Sequence, residues 1–170
     1  MTTPIYISKK LEKLVSKYVS QPTIESISKL GKWNGTVFYV NRKKCWLIVN
    51  AETKFSLIIP DLKASDIKNF QNVFLDNLYS QFIYENIILD FKELKKYIGE
   101  INILPTDGDR KTIGTQNYYL ENIEYWKYEY GTFENMPFRD IAKRLNFTPT
   151  EVFKWKNPRE VMITKIKTCA

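Results

Sequence analysis

Apolar residues recur at Leu11, Leu14, Val15 and Tyr18, the i, i+3, i+4, i+7 spacing of one helix face, and Ser8 just before them is a helix-capping residue type. Lys9, Lys13 and Lys17 repeat every four residues on another face, so the spacing predicts an amphipathic first helix with a basic stripe. A polar connection ends at Gly31. The segments TVFYV (36 to 40), KCWLIVN (44 to 50) and KFSLII (54 to 59) are rich in β-branched and aromatic residues separated by short polar breaks, and read as a three-stranded antiparallel meander. In the first break Asn41 suits a positive backbone angle, and Arg42, Lys43 and Lys44 put three cations at a hairpin tip. Pro60 ends the third strand. Ile67, Phe70, Phe74, Leu78 and Phe82 then mark a long helix capped by Ser65, followed by a short helix over 90 to 98 and a strand-like INIL at 101 to 104.

The run TDGDRKTIGTQN (106 to 117) reads as a loop leading into a helix whose inward stripe is Tyr119, Ile123, Trp126 and Tyr130. Tyr118, Tyr125 and Tyr128 fall off that stripe, leaving aromatic anchors of the kind interfaces use. The interleaved Glu121, Glu124 and Glu129 favour a protein partner or internal packing over nucleic acid. Arg110 and Lys111 before Gly114 and Thr115 suggest an anion cradle at a helix start, although the spacing matches neither GxxxxGK[ST] nor GxGxxG. Asp107 and Asp109 form a DxD that lacks the rest of a calcium loop, so a capped turn is the expectation.

Residues 138 to 155, FRDIAKRLNFTPTEVFKW, have the rhythm of a helix-turn-helix: Ile141, Ala142 and Leu145 on a first helix, a turn at Asn146 and Phe147, and Thr148 capping a second helix with Val152 and Trp155. Lys143, Arg144, Lys154, Lys156 and Arg159 are candidate phosphate contacts, and Thr150, Glu151 and Lys154 are candidates for base edges. Asn157-Pro158 stops that second helix short, and Glu151 at its start is unfavourable beside phosphate.

Charge is sorted along the chain. Residues 1 to 64 carry eleven Lys or Arg against four acids, residues 65 to 134 seven against twelve, and residues 135 to 170 eight against three, so basic ends flank an acidic middle within a net charge of +7. Such blocks attract nucleic acid or acidic protein surfaces. A composition of 44% apolar and 15% aromatic residues in 170 positions supports one packed fold, an α+β core over 1 to 134 with a basic helical segment over 135 to 170 packed on it. No His is present, which removes Ser-His-Asp and Cys-His nucleophile systems and most catalytic zinc sites. Cys45 and Cys169 suggest neither a disulfide framework nor a metal pair, and the start MTTPIYISKK has no secretory pattern, so a soluble cytoplasmic protein is expected.

Several of these features occur together in one known pattern: Ser8-Lys9-Lys10-Leu11, Leu30-Gly31-Lys32-Trp33, the Arg42-Lys43-Lys44 hairpin, the Asn50 to Thr53 turn, Ile59-Pro60, Arg110 to Asn117 and LNFTP at 145 to 149. In this order they resemble an uncharacterised bacterial family, a domain of unknown function with an RRK hairpin, a loop close to NRSVLGSMN and a tail close to LNRTPM. Arg110, Gly114 and Asn117 fit the loop pattern, while Lys111 and Gln116 stand where that family has Ser and Met. The resemblance spans nearly the whole chain and lends no activity. It implies an accessory role in bacteria and mobile elements.

Three readings from different classes follow. The first is a non-enzymatic binding protein that engages a nucleic-acid-processing protein or ribonucleoprotein, one form being a phage-type inhibitor of a defence nuclease. The second is a DNA-binding regulator using residues 138 to 159. The third is a His-free metal-dependent nuclease or toxin using Asp107, Asp109, Arg110 and Lys111. The first is the expectation: no catalytic residue, metal or cofactor is assigned, RNA or DNA contact stays open, and no membrane is involved. Its binding residues are the cations Lys9, Lys13, Lys17, Arg42, Lys43, Lys44, Arg110, Lys111, Lys143, Arg144, Lys154, Lys156 and Arg159, with Tyr118, Tyr125 and Tyr128.

Overall fold

A computed structural model describes residues 1–23 and 26–170. Its strands are β1 (Thr2–Ile7), β2 (Trp33–Val40), β3 (Lys43–Asn50), β4 (Ser56–Ile59) and β5 (Glu100–Pro105), in one mixed sheet of order β4-β3-β2-β1-β5. The helices are α1 (Lys9–Val15), α2 (Ala64–Lys68), α3 (Phe70–Tyr84), α4 (Phe91–Ile98), α5 (Arg110–Tyr130), α6 (Phe138–Asn146) and α7 (Pro158–Cys169). The class is α+β, as the pattern of elements predicted.

The antiparallel meander β2-β3-β4 is present, and β1 and β5 extend it in parallel on the β2 side. Its first turn is the two-residue Asn41-Arg42, both at positive φ (46° and 64°), between the paired residues Val40 and Lys43. That is the turn whose twist suits an antiparallel hairpin. The apolar run in β3 is unbroken because both faces of the strand are covered. Trp46 and Ile48 face a core built with Leu11 and Val15 of α1, Phe74, Leu78 and Phe82 of α3, Leu94 of α4 and Met162 and Ile166 of α7. Cys45, Leu47 and Val49 face a second core with Tyr119 and Ile123 of α5 and Ile141, Ala142 and Leu145 of α6. The sheet is therefore the middle of three layers.

Five local expectations are corrected. The interior strand β1, between β2 and β5, is absent from the sequence expectation; Ile5 and Ile7 are fully buried in it, and Pro4 is tolerated because the ladder to β2 begins only at Ile5. The helix expected from Ser65 is two helices, α2 and α3, broken at Asn69, and the Asp66 carboxylate rather than Ser65 accepts the Lys63 N–H at the entrance. The loop expected over 106 to 117 ends at Asp109, whose carboxylate caps α5 eight residues earlier than the aromatic stripe suggests. The second helix of the helix-turn-helix is absent: Glu151–Phe153 make one 3₁₀ turn, and Lys154 and Trp155 both lie at positive φ, which an α-helix cannot accommodate. Asn157-Pro158 starts α7 instead of stopping a helix. The Asn157 side chain accepts the Glu160 N–H, and Pro158 occupies the first helical position.

A buried polar knot joins the layers. Asn146 of α6 accepts the Ser56 N–H (2.6 Å) and donates to the Ser56 carbonyl (3.0 Å) and to Glu85 Oε2 (2.8 Å). Gln81 Nε2 also donates to Glu85 Oε2 at 2.7 Å. Burial pushes the Glu85 carboxyl up to about 7, against the opposing pull of the Gln81 and Asn146 bonds and the nearby Arg159 and Lys143 charges.

Candidate functional site

The N-terminal basic block is gathered by folding. Leu11 and Val15 pin α1 to the sheet beside the β2–β3 hairpin, so that helix and hairpin become two walls of one groove. The groove has a volume of about 380 Å³ and is lined by Leu14, Arg42, Lys43, Lys44, Trp46 and Lys63, among others. Lys9 and Lys13 of α1 and Lys17 in the turn after it are exposed and do not line the groove, and Lys10 leans over the Tyr39 ring at 5.4 Å. Asp61 is the acid on the rim, and it pairs with Lys63 at 3.7 Å. Lys43 lies 4.4 Å above the Phe133 ring, and Asn41 Oδ1 accepts the Phe133 N–H, which ties the hairpin tip to the turn that follows α5. Arg42 and Lys44 are exposed and make no ion pair among the described residues.

The entrance of α5 does not form the expected cradle of backbone N–H groups. Asp109 accepts the Thr112 N–H (3.2 Å) and hydroxyl (2.8 Å), and Asp107 Oδ1 accepts the Asp109 N–H at 3.1 Å. The chain's own carboxylates thus fill the place an anion would take. Lys32 Nζ sits between the two acids, at 2.6 Å from Asp107 and 3.3 Å from Asp109. Burial works against the charge on Asp109, but the Thr112 bonds and the Lys32 ammonium outweigh it and hold the carboxyl at about 2. The Lys32 ammonium therefore occupies the position a cation bridging the DxD would need. Among the described residues no group of three or more His, Cys, Asp or Glu is placed to hold a metal ion.

Arg110, Lys111, Gly114 and Thr115 lie on the first two turns of α5 and line a different feature, a cavity of about 510 Å³. Its other walls come from Lys54 in the β3–β4 turn, from Tyr118 and Tyr119, and from Thr150 and Val152. Lys54 holds φ at 60° and donates to the Ala51 carbonyl (2.6 Å) and the Thr112 hydroxyl (3.0 Å); burial pulls its ammonium below the ordinary lysine range. Its carbonyl accepts the Tyr119 hydroxyl at 2.9 Å, and burial in turn pushes the Tyr119 phenol well up.

The remaining candidates are spread over α5 to α7. Tyr118, Tyr125 and Tyr128 are 53%, 61% and 85% exposed, while Tyr119 and Ile123 are buried, so the two sides of the aromatic helix separate as its spacing predicted. Lys143 lies between the Tyr84 and Phe147 rings. Arg144 bonds Asp140 and the Tyr130 hydroxyl over the Trp126 ring. Arg159 donates to the Glu85 carbonyl at 2.7 Å. These three cations are engaged within the fold, whereas Lys154 and Lys156 are exposed.

Sequence patterns gave no sign of what Lys32, Lys54 and Glu85 contact, because each meets its partner more than fifty positions away. Lys32, the Asn50 to Thr53 turn and Arg110 to Asn117, which carry part of the family pattern, meet around the start of α5: the Ala51 N–H donates to the Lys32 carbonyl, and Lys54 reaches Thr112. No helix is long and apolar enough to cross a membrane among the described residues. No curated protein and no solved structure matches the chain. The model of one family, a domain of unknown function designated DUF6933, matches residues 4–161, and the chain belongs to that family.

Proposed function

We propose that the protein is a non-enzymatic, cytoplasmic binding protein of the bacterial accessory or mobile genome, which engages a nucleic-acid-processing ribonucleoprotein through the groove between α1 and the β2–β3 hairpin. The observation that carries this reading is the gathering of Arg42, Lys43, Lys44 and Lys63 around one groove whose other wall, α1, bears Lys9 and Lys13, with Lys17 in the turn that follows it. Arg42, Lys43 and Lys44 have no carboxylate partner among the described residues, the arrangement that binds phosphate backbones by releasing counterions. The exposed Leu14 on the same groove adds an apolar contact available to a protein partner. One form of such a role is a phage-type inhibitor that covers the nucleic acid of a defence nuclease.

A regulator reading duplex DNA with residues 138 to 159 would lack a second helix to place in a groove, and a metal-dependent nuclease built on Asp107 and Asp109 would have to displace Lys32. Neither therefore has a favouring observation. The ribonucleoprotein reading is tested by capture from a native lysate with wild-type protein and an Arg42→Glu/Lys44→Glu variant, at low and high salt. Salt-sensitive capture of one protein with its RNA, lost in the variant, is expected. Equal capture by the variant would contradict it.

A further inference from the structure

We infer that the cavity beside the first two turns of α5 is a binding site for a nucleoside phosphate, with Lys54, Arg110 and Lys111 on the phosphate and the base lying over Gly114 against Tyr118 and Val152. This site is separate from the basic groove and does not depend on the role proposed for it. The cavity of about 510 Å³ falls within the range of about 300–1,000 Å³ usual for small-molecule sites. Its lining holds three cations and no acid.

The charges are arranged for an outside anion. Lys54 is half-buried, yet its two acceptors are neutral oxygens, the Ala51 carbonyl and the Thr112 hydroxyl, so one of its three donors is left over. The nearest acid, Asp109, is turned to Thr112 and Lys32. Arg110 and Lys111 are exposed and make no ion pair among the described residues. An Arg fork with two ammonium groups matches a phosphate dianion better than a single carboxylate.

The rest of the wall suits a flat ring. Gly114 lies inside a helix, where glycine costs about 1 kcal/mol relative to alanine. No packing accounts for it: a Cβ built there meets nothing within 4 Å. The gap is open on the cavity side, between Tyr118 at 53% and Val152 at 79% exposure, two apolar surfaces left to water. Thr150 completes the wall of the cavity.

The test is calorimetric titration of the full chain with AMP, GMP, CMP and UMP separately, and with adenosine, inorganic phosphate and a 5′-phosphorylated single-stranded pentanucleotide. At least one mononucleotide should bind about tenfold or more tighter than adenosine or inorganic phosphate. Arg110→Ala and Gly114→Leu should each weaken it about tenfold or more, the loss expected for one charge-assisted bond or a blocked ring site. Gly114→Leu should keep or raise the thermal midpoint, because leucine is the better helix former and its Cβ meets no protein atom within 4 Å. Arg42→Glu/Lys44→Glu should leave mononucleotide binding unchanged, which separates this site from the groove. A pentanucleotide that binds tighter than any mononucleotide and is lost in Gly114→Leu supports the same site with a strand end as the source. The proposal falls if no mononucleotide or pentanucleotide binds, if inorganic phosphate binds as tightly as the nucleotides, or if the binding seen survives both Arg110→Ala and Gly114→Leu.

Discussion

The Tyr119 hydroxyl donates to the Lys54 carbonyl at 2.9 Å, fastening the β3–β4 turn to α5 across sixty-five residues of sequence. The turn needs the tie because Lys54 holds a positive φ that most residues avoid. Tyr119→Phe keeps the ring in its core and removes only the bond. Urea unfolding should show a loss of about 1 kcal/mol, the usual net worth of one partly buried hydrogen bond. An unchanged midpoint would mean that the turn is held by Asn50, whose side-chain oxygen accepts the Thr53 N–H at 2.9 Å.

Glu85 sets a pH dependence of stability. Its folded carboxyl titrates at about 7 against an ordinary 4.5, so between those values the folded chain holds more protons than the unfolded one. Stability should then fall as pH rises from about 4.5 to about 7 and level off above, by a total on the order of 3 kcal/mol. Glu85→Gln should flatten this slope in thermal melts taken across that range. A wild-type profile with no fall would contradict the burial of the carboxyl.

Asp109 acts in the opposite sense. Its carboxyl is held at about 2 instead of 3.8, so its contribution is present above about pH 4 and is lost as pH drops toward 2. Asp109→Ala removes both the helix cap and the Lys32 partner and should cost about 1 kcal/mol at neutral pH. Asp109→Asn keeps a capping oxygen, so its smaller loss in the same unfolding measurement isolates the ion pair.

The hairpin tip combines strain with charge. Arg42 sits at φ 64°, a conformation that costs a residue with a Cβ about 1–2 kcal/mol. Arg42→Gly should raise stability by about 1 kcal/mol and, by removing an exposed cation, weaken capture of the partner. A variant that gains stability and keeps full capture would remove Arg42 from the binding surface.

Much of this architecture is legible in the chain because its signals are local. Asn41 marks the turn, the apolar spacing of Phe70, Phe74, Leu78 and Phe82 marks α3, and Tyr119 and Ile123 mark the inner side of α5. What escapes is set at a distance or by competing local chemistry. The strand β1 is six residues with a proline, and only its place between β2 and β5 makes it an interior strand of the sheet. Gly114 masks the start of α5, since a glycine reads as a break although Asp109 and Thr112 form a sound cap. Thr148-Pro149 looks like a helix entrance, but the Trp155 N–H closes back on the Thr150 carbonyl and the chain turns. The candidate cations at 9 to 17, 42 to 44 and 110 to 111 were visible as charges. Their division between a groove and a separate cavity depends on where the sheet places the two loops.

The basic groove is tested most directly by passing a native host lysate over immobilised wild-type protein and over the Arg42→Glu/Lys44→Glu variant, with and without nuclease, and comparing the bound proteins and nucleic acids. The account predicts one nucleic-acid-processing protein, recovered with its RNA by the wild type, depleted by nuclease or high salt and absent from the variant. The same recovery by both proteins, or none by either, would contradict it.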